Sequence, residues 1–100
     1  MSYIYDMENE IESTSEFDSW LSALEEADAV AAAKVIGRIN RMKLNNFGDC
    51  KLLDDGLWEA RIDYGPGYRL YYRRTGRTVY LMLDGGTKRT QKRDIKRLKG

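Results

Sequence analysis

The sequence predicts a two-layer α+β domain, a small antiparallel sheet covered on one face by an N-terminal helical hairpin, with a short helix at the C-terminus. Three observations predict it. Apolar residues recur at helical spacing twice before Met42. After Cys50 the pattern changes to period-two alternation. Short breaks rich in glycine then separate the alternating runs, as in hairpins.

The elements follow in the order β-α-α-β-β-β-β-α. Tyr3 to Met7 alternates aromatic and β-branched residues and reads as a short strand, with polar Glu8 to Ser13 as a connection. Ser15 is placed to cap a helix whose stripe is Phe17, Trp20, Leu21 and Leu24, and Glu16 and Asp18 suit the positive end of its dipole. Asp28 caps a second helix with Ala32, Val35, Ile36 and Ile39 as its stripe, and Lys34, Arg38 and Arg41 lie outside it. The loop chemistry of Lys43 to Asp49 ends that helix, and Cys50 to Leu53 reads as an edge strand. Strands at Leu57–Tyr64, Tyr68–Arg74 and Thr78–Asp84 are separated by Gly65-Pro66-Gly67 and Thr75-Gly76, short enough to make neighbours antiparallel. Gly85-Gly86 reads as the end of the last strand. Thr90 then caps a helix from Gln91 to Leu98 that docks through Ile95 and Leu98.

The chain of 100 residues is read as one domain, 1–100. No apolar run approaches the ~20 residues that span a bilayer, so no membrane partner is expected. The start, Met1 to Asp6, lacks the basic and apolar stretches of a signal peptide, and the single Cys50 has no internal disulfide partner. A cytoplasmic setting is the expectation. Histidine is absent, which excludes histidine-based triads, histidine acid–base pairs and most zinc sites. No metal or cofactor is expected, and any catalysis must use Lys, Arg, Tyr, Asp or Glu.

The net charge of +1 conceals two poles. Every ionised side chain from Asp6 to Asp28 is acidic, whereas from Arg61 onward Asp63, Asp84 and Asp94 stand against a far larger number of Lys and Arg. A cationic half of this kind suits a polyanion, nucleic acid first, and the alternative is a solvated charged surface. Splitting the strands by alternation puts Trp58, Ala60, Ile62, Tyr64, Tyr68, Leu70, Tyr72, Val79, Leu81 and Leu83 toward the helices. The free face then collects Arg61, Arg69, Tyr71, Arg73 and Tyr80, with Glu59 and Asp63 at its rim. Rings interleaved with guanidiniums fit single-stranded nucleic acid, the bases stacking and the Arg forks binding phosphates. Ordinary cross-strand Arg–Tyr packing is the competing reading. Lys88 and Arg89 add cations just before a helix start.

The run Leu57-Trp58-Glu59-Ala60-Arg61-Ile62-Asp63-Tyr64-Gly65-Pro66-Gly67-Tyr68-Arg69-Leu70-Tyr71-Tyr72 resembles a signature of addiction-module killer proteins. Leu81 to Lys88, Thr90-Gln91, Asp94 to Arg97 and Asn46 to Asp49 resemble further parts of it, so the resemblance covers nearly the whole chain. On these residues the chain resembles the HigB-like branch of the RelE/ParE toxin superfamily. The resemblance implies a RelE-like fold, a cognate antitoxin that is a helix-turn-helix DNA-binding protein, and the activity of a type II toxin. That activity is ribosome-dependent endoribonuclease cleavage of mRNA, with the RNA 2′-OH as nucleophile. It further implies that Arg69 contacts the scissile phosphate, that Arg61 enters the same site from the preceding strand, and that Lys88 and Arg89 form the basic pair after the last strand. The tyrosine that RelE-type enzymes carry near the C-terminus has no match here; Asp94 falls near its place.

Arg61, Arg69 and Lys88 are therefore the candidate catalytic residues, the two arginines neutralising the phosphate and Lys88 moving a proton. Tyr71, Arg73, Tyr80, Arg89 and Lys92 are the candidate RNA-binding residues. Two other functions remain open on the sequence: a ParE-like inhibitor that binds DNA gyrase, and a non-catalytic RNA-binding module.

Overall fold

Glu10 to Ser13, with a single apolar side chain, forms the first strand of a computed structural model that describes residues 8–99. The expectation of a strand at Tyr3–Met7 lies outside the described residues. The elements are β1 (Glu10–Ser13), α1 (Ser15–Ala27), α2 (Ala29–Lys43), β2 (Cys50–Asp54), β3 (Leu57–Ile62), β4 (Tyr68–Arg74), β5 (Val79–Thr87), a single 3₁₀ turn (Lys88–Thr90) and α3 (Gln91–Lys99). The protein is an α+β fold.

One open sheet runs in the order β1-β5-β4-β3-β2. Its last four strands are antiparallel neighbours, joined by the short breaks the sequence marks. The expectation of a wholly antiparallel sheet fails at β1, which pairs parallel to β5 with Ile11 opposite Tyr80. Ile11 packs on the core while Glu10 and Glu12 are exposed, so the segment read as a connection is a charged edge strand.

The helical hairpin covers one face. Thr14, not Ser15, caps α1: its hydroxyl accepts from the Phe17 amide at 3.1 Å and donates to the Leu83 carbonyl of β5 at 2.7 Å, tying cap to sheet. Asp28 caps α2 as expected, accepting from the Ala31 amide at 3.1 Å. The buried stripe of α2 is Ala31, Ala32, Val35, Arg38 and Met42, whereas Ile36 is exposed. The stripe is thus rotated from the expected Ala32–Val35–Ile36–Ile39, with an arginine among the buried positions.

The faces of β3 and β4 follow alternation, with Ala60, Ile62, Tyr68, Leu70 and Tyr72 in the core. Those of β5 do not. Tyr71 pairs with Asp84 but Tyr72 pairs with Met82, so Leu83 is the extra residue of a bulge. Beyond that extra residue the parity reverses. Met82 and Tyr80 turn into the core, and Val79 and Leu81 leave the places assigned to them by strict alternation. β5 also runs through Gly85-Gly86, where the sequence suggested it would stop. A Cβ at Gly85 would overlap the Trp20 indole, and one at Gly86 would overlap the Asp94 carboxylate and stand 2.9 Å from Thr90 Oγ1. Both faces are packed too closely there for any side chain.

The second face is not free. The 3₁₀ turn and α3 lie against it at β5, and their deepest residue is Asp94, 4% exposed, with Ile95 and Leu98 only partly buried. Asp94 accepts from Thr90 Oγ1 at 2.6 Å and pairs with Arg97, which also reaches Asp84 at 3.0 Å. Short polar bonds rather than apolar docking seat this helix.

Candidate functional site

Strand pairing brings the two arginines of the signature together. Arg61 on β3 and Arg69 on β4 are direct cross-strand partners. Two like charges opposite each other repel, and each is held by a carboxylate of its own. Arg61 Nη2 donates to Asp49 Oδ1 at 3.1 Å, at a site open to solvent. Arg69 Nε stands 3.9 Å from Glu59 Oε1, and both side chains are largely sealed from water. Glu59, 1% exposed, accepts from Gln91 Nε2 of α3 at 2.6 Å through its other oxygen.

The third cation arrives through the turn after β5. The Gly65-Pro66-Gly67 loop closes with Gly67 at φ 80°, a left-handed conformation that suits glycine, and the Gly67 carbonyl accepts from the Lys88 amide at 2.7 Å. The result is an open cleft of ≈ 350 Å³ lined by Asp49, Arg61, Asp63, Gly67, Arg69 and Lys88. All three candidate catalytic residues line it. Three cations and two carboxylates, Asp49 and Asp63, thus share this lining. Among the described residues, no three Asp, Glu or Cys side chains gather as a metal centre.

The candidate RNA-binding residues are placed differently. Tyr71 is fully buried, and its hydroxyl has no hydrogen-bond partner among the described residues. Burial, with Glu59 and Asp94 nearby, drives its phenol pKa far above the ordinary value, and the ring presents no face to a base. Tyr80 lies on the helix side of the sheet, its ring centroid 5.1 Å from Phe47 and 6.1 Å from Tyr72. It lines a separate hollow with Phe47, Cys50, Trp58, Tyr72 and Arg74. The bulge at Leu83 is the reason for this reversal. Arg73 donates to the carbonyls of Asp55 and Leu98, joining the β2–β3 turn to the end of α3. Arg89 and Lys92 are exposed on the 3₁₀ turn and α3, outside the cleft.

Sequence reasoning missed Arg38. Its Nη1 donates to the Asp49 carbonyl at 3.2 Å and its Nη2 to the Arg61 carbonyl at 2.9 Å. The Arg61 amide donates to that same Asp49 carbonyl at 2.8 Å. Arg38 thus braces both residues of the Arg61–Asp49 pair from beneath the sheet. Burial first, then the charge of Arg41, lowers its pKa from the usual guanidinium value. Its spacing from Ala31, Val35 and Met42 on one helical face was the signal available in the sequence.

No family model matches the chain. No solved structure matches it. Over 90 residues it is 46% identical to a protein of Haemophilus influenzae described as an uncharacterized protein, across 90% of this chain and 89% of the relative. Identity at that level over nearly the whole of both chains is decisive: the chain belongs to the same family as this Haemophilus influenzae protein.

Proposed function

We propose that the protein is the toxin of a type II toxin–antitoxin system, a metal-independent endoribonuclease that cuts mRNA on the ribosome. The observation that carries the reading is the convergence of Arg61, Arg69 and Lys88 on one open cleft. The likeness of Leu57–Tyr72 and Leu81–Lys88 to addiction-module killer proteins supports it from the sequence. In this reading Arg61 and Arg69 grip the scissile phosphate and neutralise the charge that builds on it as the 2′-oxygen attacks phosphorus. Preorganised cations of this kind typically supply the largest single share of catalysis. The bond from phosphorus to the 5′-oxygen breaks, leaving a 2′,3′-cyclic phosphate and a 5′-OH. Lys88 moves the proton between the 2′-oxygen and the leaving oxygen. Asp49 and Glu59 orient the two arginines. A cognate antitoxin, a helix-turn-helix DNA-binding protein, restrains the activity.

Inducing the chain in a bacterial host tests the class of target. Translation arrest with shortened transcripts, preceding any change in DNA supercoiling, is the expected result. Loss of supercoiling with intact mRNA would overturn the reading in favour of gyrase inhibition, and neither effect would leave a binding module without catalysis.

A further inference from the structure

A second basic hollow lies beside the cleft. Lys34, Arg38 and Arg41 of α2, with Ile62 and Asp63 at the end of β3, line a groove of ≈ 480 Å³. Among the described residues, none of these three cations has a carboxylate within 4.0 Å, whereas Arg61, Arg69, Arg97 and Lys99 each have at least one. Arg38 is 9% exposed, and its Nε is sealed off without a partner. Lys34 is held over the Tyr64 ring, 5.1 Å from its centroid. Gly37 also lines the groove, and a Cβ there would meet only Arg41 Nη1, at 3.8 Å, an ordinary contact.

Two links join groove and cleft. Asp63 lines both. Arg38 lines the groove and bonds to the Asp49 and Arg61 carbonyls, whose side chains line the cleft. A strand whose phosphate sits between Arg61 and Arg69 and which leaves past Asp63 runs onto Lys34, Arg38 and Arg41, three cations with no ion pair among the described residues that outnumber the one carboxylate of the groove, Asp63. We infer that the α2 groove binds backbone phosphates of the RNA strand that passes through the Arg61–Arg69–Lys88 cleft. This inference rests on the proposed RNA-cleaving function and names where its substrate runs. The exposed pair Lys34 and Arg41 carries the contact, and buried Arg38 positions it.

The test compares wild type, Lys34→Ala/Arg41→Ala and Arg61→Ala. Each is titrated by fluorescence anisotropy with labelled polyglutamate and with two RNAs made uncleavable by a 2′-deoxy substitution: a dinucleotide that fits the cleft alone, and an oligonucleotide of about ten residues. Both substituted α2 positions are exposed and alanine favours helix, so the double variant should fold. The expected result is a loss of about tenfold or more in affinity for the longer RNA, with dinucleotide binding unchanged. Its salt dependence should also flatten by roughly 1.4 logarithmic units per decade, since each phosphate contact contributes about 0.7 on single strands. Arg61→Ala should weaken both RNAs. Unchanged binding of the longer RNA by the double variant, while Arg61→Ala weakens both, would overturn the groove and keep the function. Equal loss for both lengths would make the α2 residues mere supports of Arg61 and overturn it too. Binding of polyglutamate but of neither RNA by wild type would overturn the groove and the RNA reading together.

Discussion

Replacing Arg69 with alanine removes two things at once, and the structure separates them. The first is a cation of the cleft. The second is the counter-charge of Glu59, whose carboxylate is 1% exposed and 3.9 Å from Arg69 Nε. At an effective dielectric of about 20, unit charges at that distance attract by about 4 kcal/mol. Gln91 keeps its 2.6 Å bond to Glu59 and offsets part of the loss, so a destabilisation of about 2–4 kcal/mol is expected, near the low end for breaking a buried pair. For a chain of this size that lowers Tm by roughly 10–25 °C. Arg69→Ala/Glu59→Gln removes the stranded charge while its amide oxygen can still accept from Gln91, so most of the stability should return. Cleavage should not return, because the phosphate-binding cation is still missing, at a cost of about 2–4 kcal/mol of transition-state stabilisation. Urea unfolding of the four proteins in the cycle, with mRNA cleavage measured on each, gives both quantities. Arg69→Ala as stable as wild type, or a double variant no more stable than Arg69→Ala, would refute the coupling.

Three further outcomes are expected. Gly85→Ala drives a methyl into the Trp20 indole and should destabilise the fold by about 1–3 kcal/mol or more; unchanged stability on denaturation would contradict the packing of α1 on β5. The Asp54–Lys99 pair ties the end of α3 to β2 at 2.6 Å, the hydrogen bond from Lys99 holding Asp54 below the usual carboxylate range and raising Lys99 in turn. Its contribution is present above the ordinary Asp value and lost as pH falls through the depressed one, and is lost again as pH rises through the raised Lys99 value. Amides of Arg97–Lys99 should therefore lose protection as pH falls from neutral through the depressed Asp54 value, and the same relative protection in Asp54→Asn as in wild type would count against the tether. Cleavage should survive excess chelator when magnesium is restored only to keep ribosomes intact; strict dependence on manganese or zinc would contradict a mechanism built on the RNA hydroxyl and three side-chain cations.

Much of this arrangement is legible in the sequence because it rests on local periodicity. The α1 stripe, the Asp28 cap and the two glycine-containing breaks define the helical hairpin and the β3–β4–β5 meander. Alternation on β3 and β4 puts Arg61 and Arg69 on one face, but their direct pairing comes from a five-residue loop, 63–67, where the three-residue break marked in the sequence would set Arg61 opposite Tyr71. What escapes has non-local causes. The bulge at Leu83 reverses Tyr80 and Met82, and no composition signal marks where one extra residue enters a strand. Gly85-Gly86 resembles a strand stop, yet its lack of side chains serves close packing by Trp20 on one face and Asp94 on the other. Arg38, Glu59 and Asp94 are charged and therefore read as solvated, but each is buried where other elements supply its hydrogen bonds. Tyr71 reads as exposed because the face opposite the helical hairpin reads as free, whereas α3 packs against β5 on that face.

The cleft of Arg61, Arg69 and Lys88 is proposed to cut RNA. The most direct test is to mix the purified protein with ribosomes programmed with a defined mRNA, sequence the cut ends and identify their chemistry. The expected result is cleavage leaving a 2′,3′-cyclic phosphate and a 5′-OH, reduced at least a hundredfold by Arg61→Ala in protein that remains folded, from the loss of about 3 kcal/mol of charge stabilisation. Intact mRNA with the wild-type protein, or equal cleavage by wild type and Arg61→Ala, would contradict it.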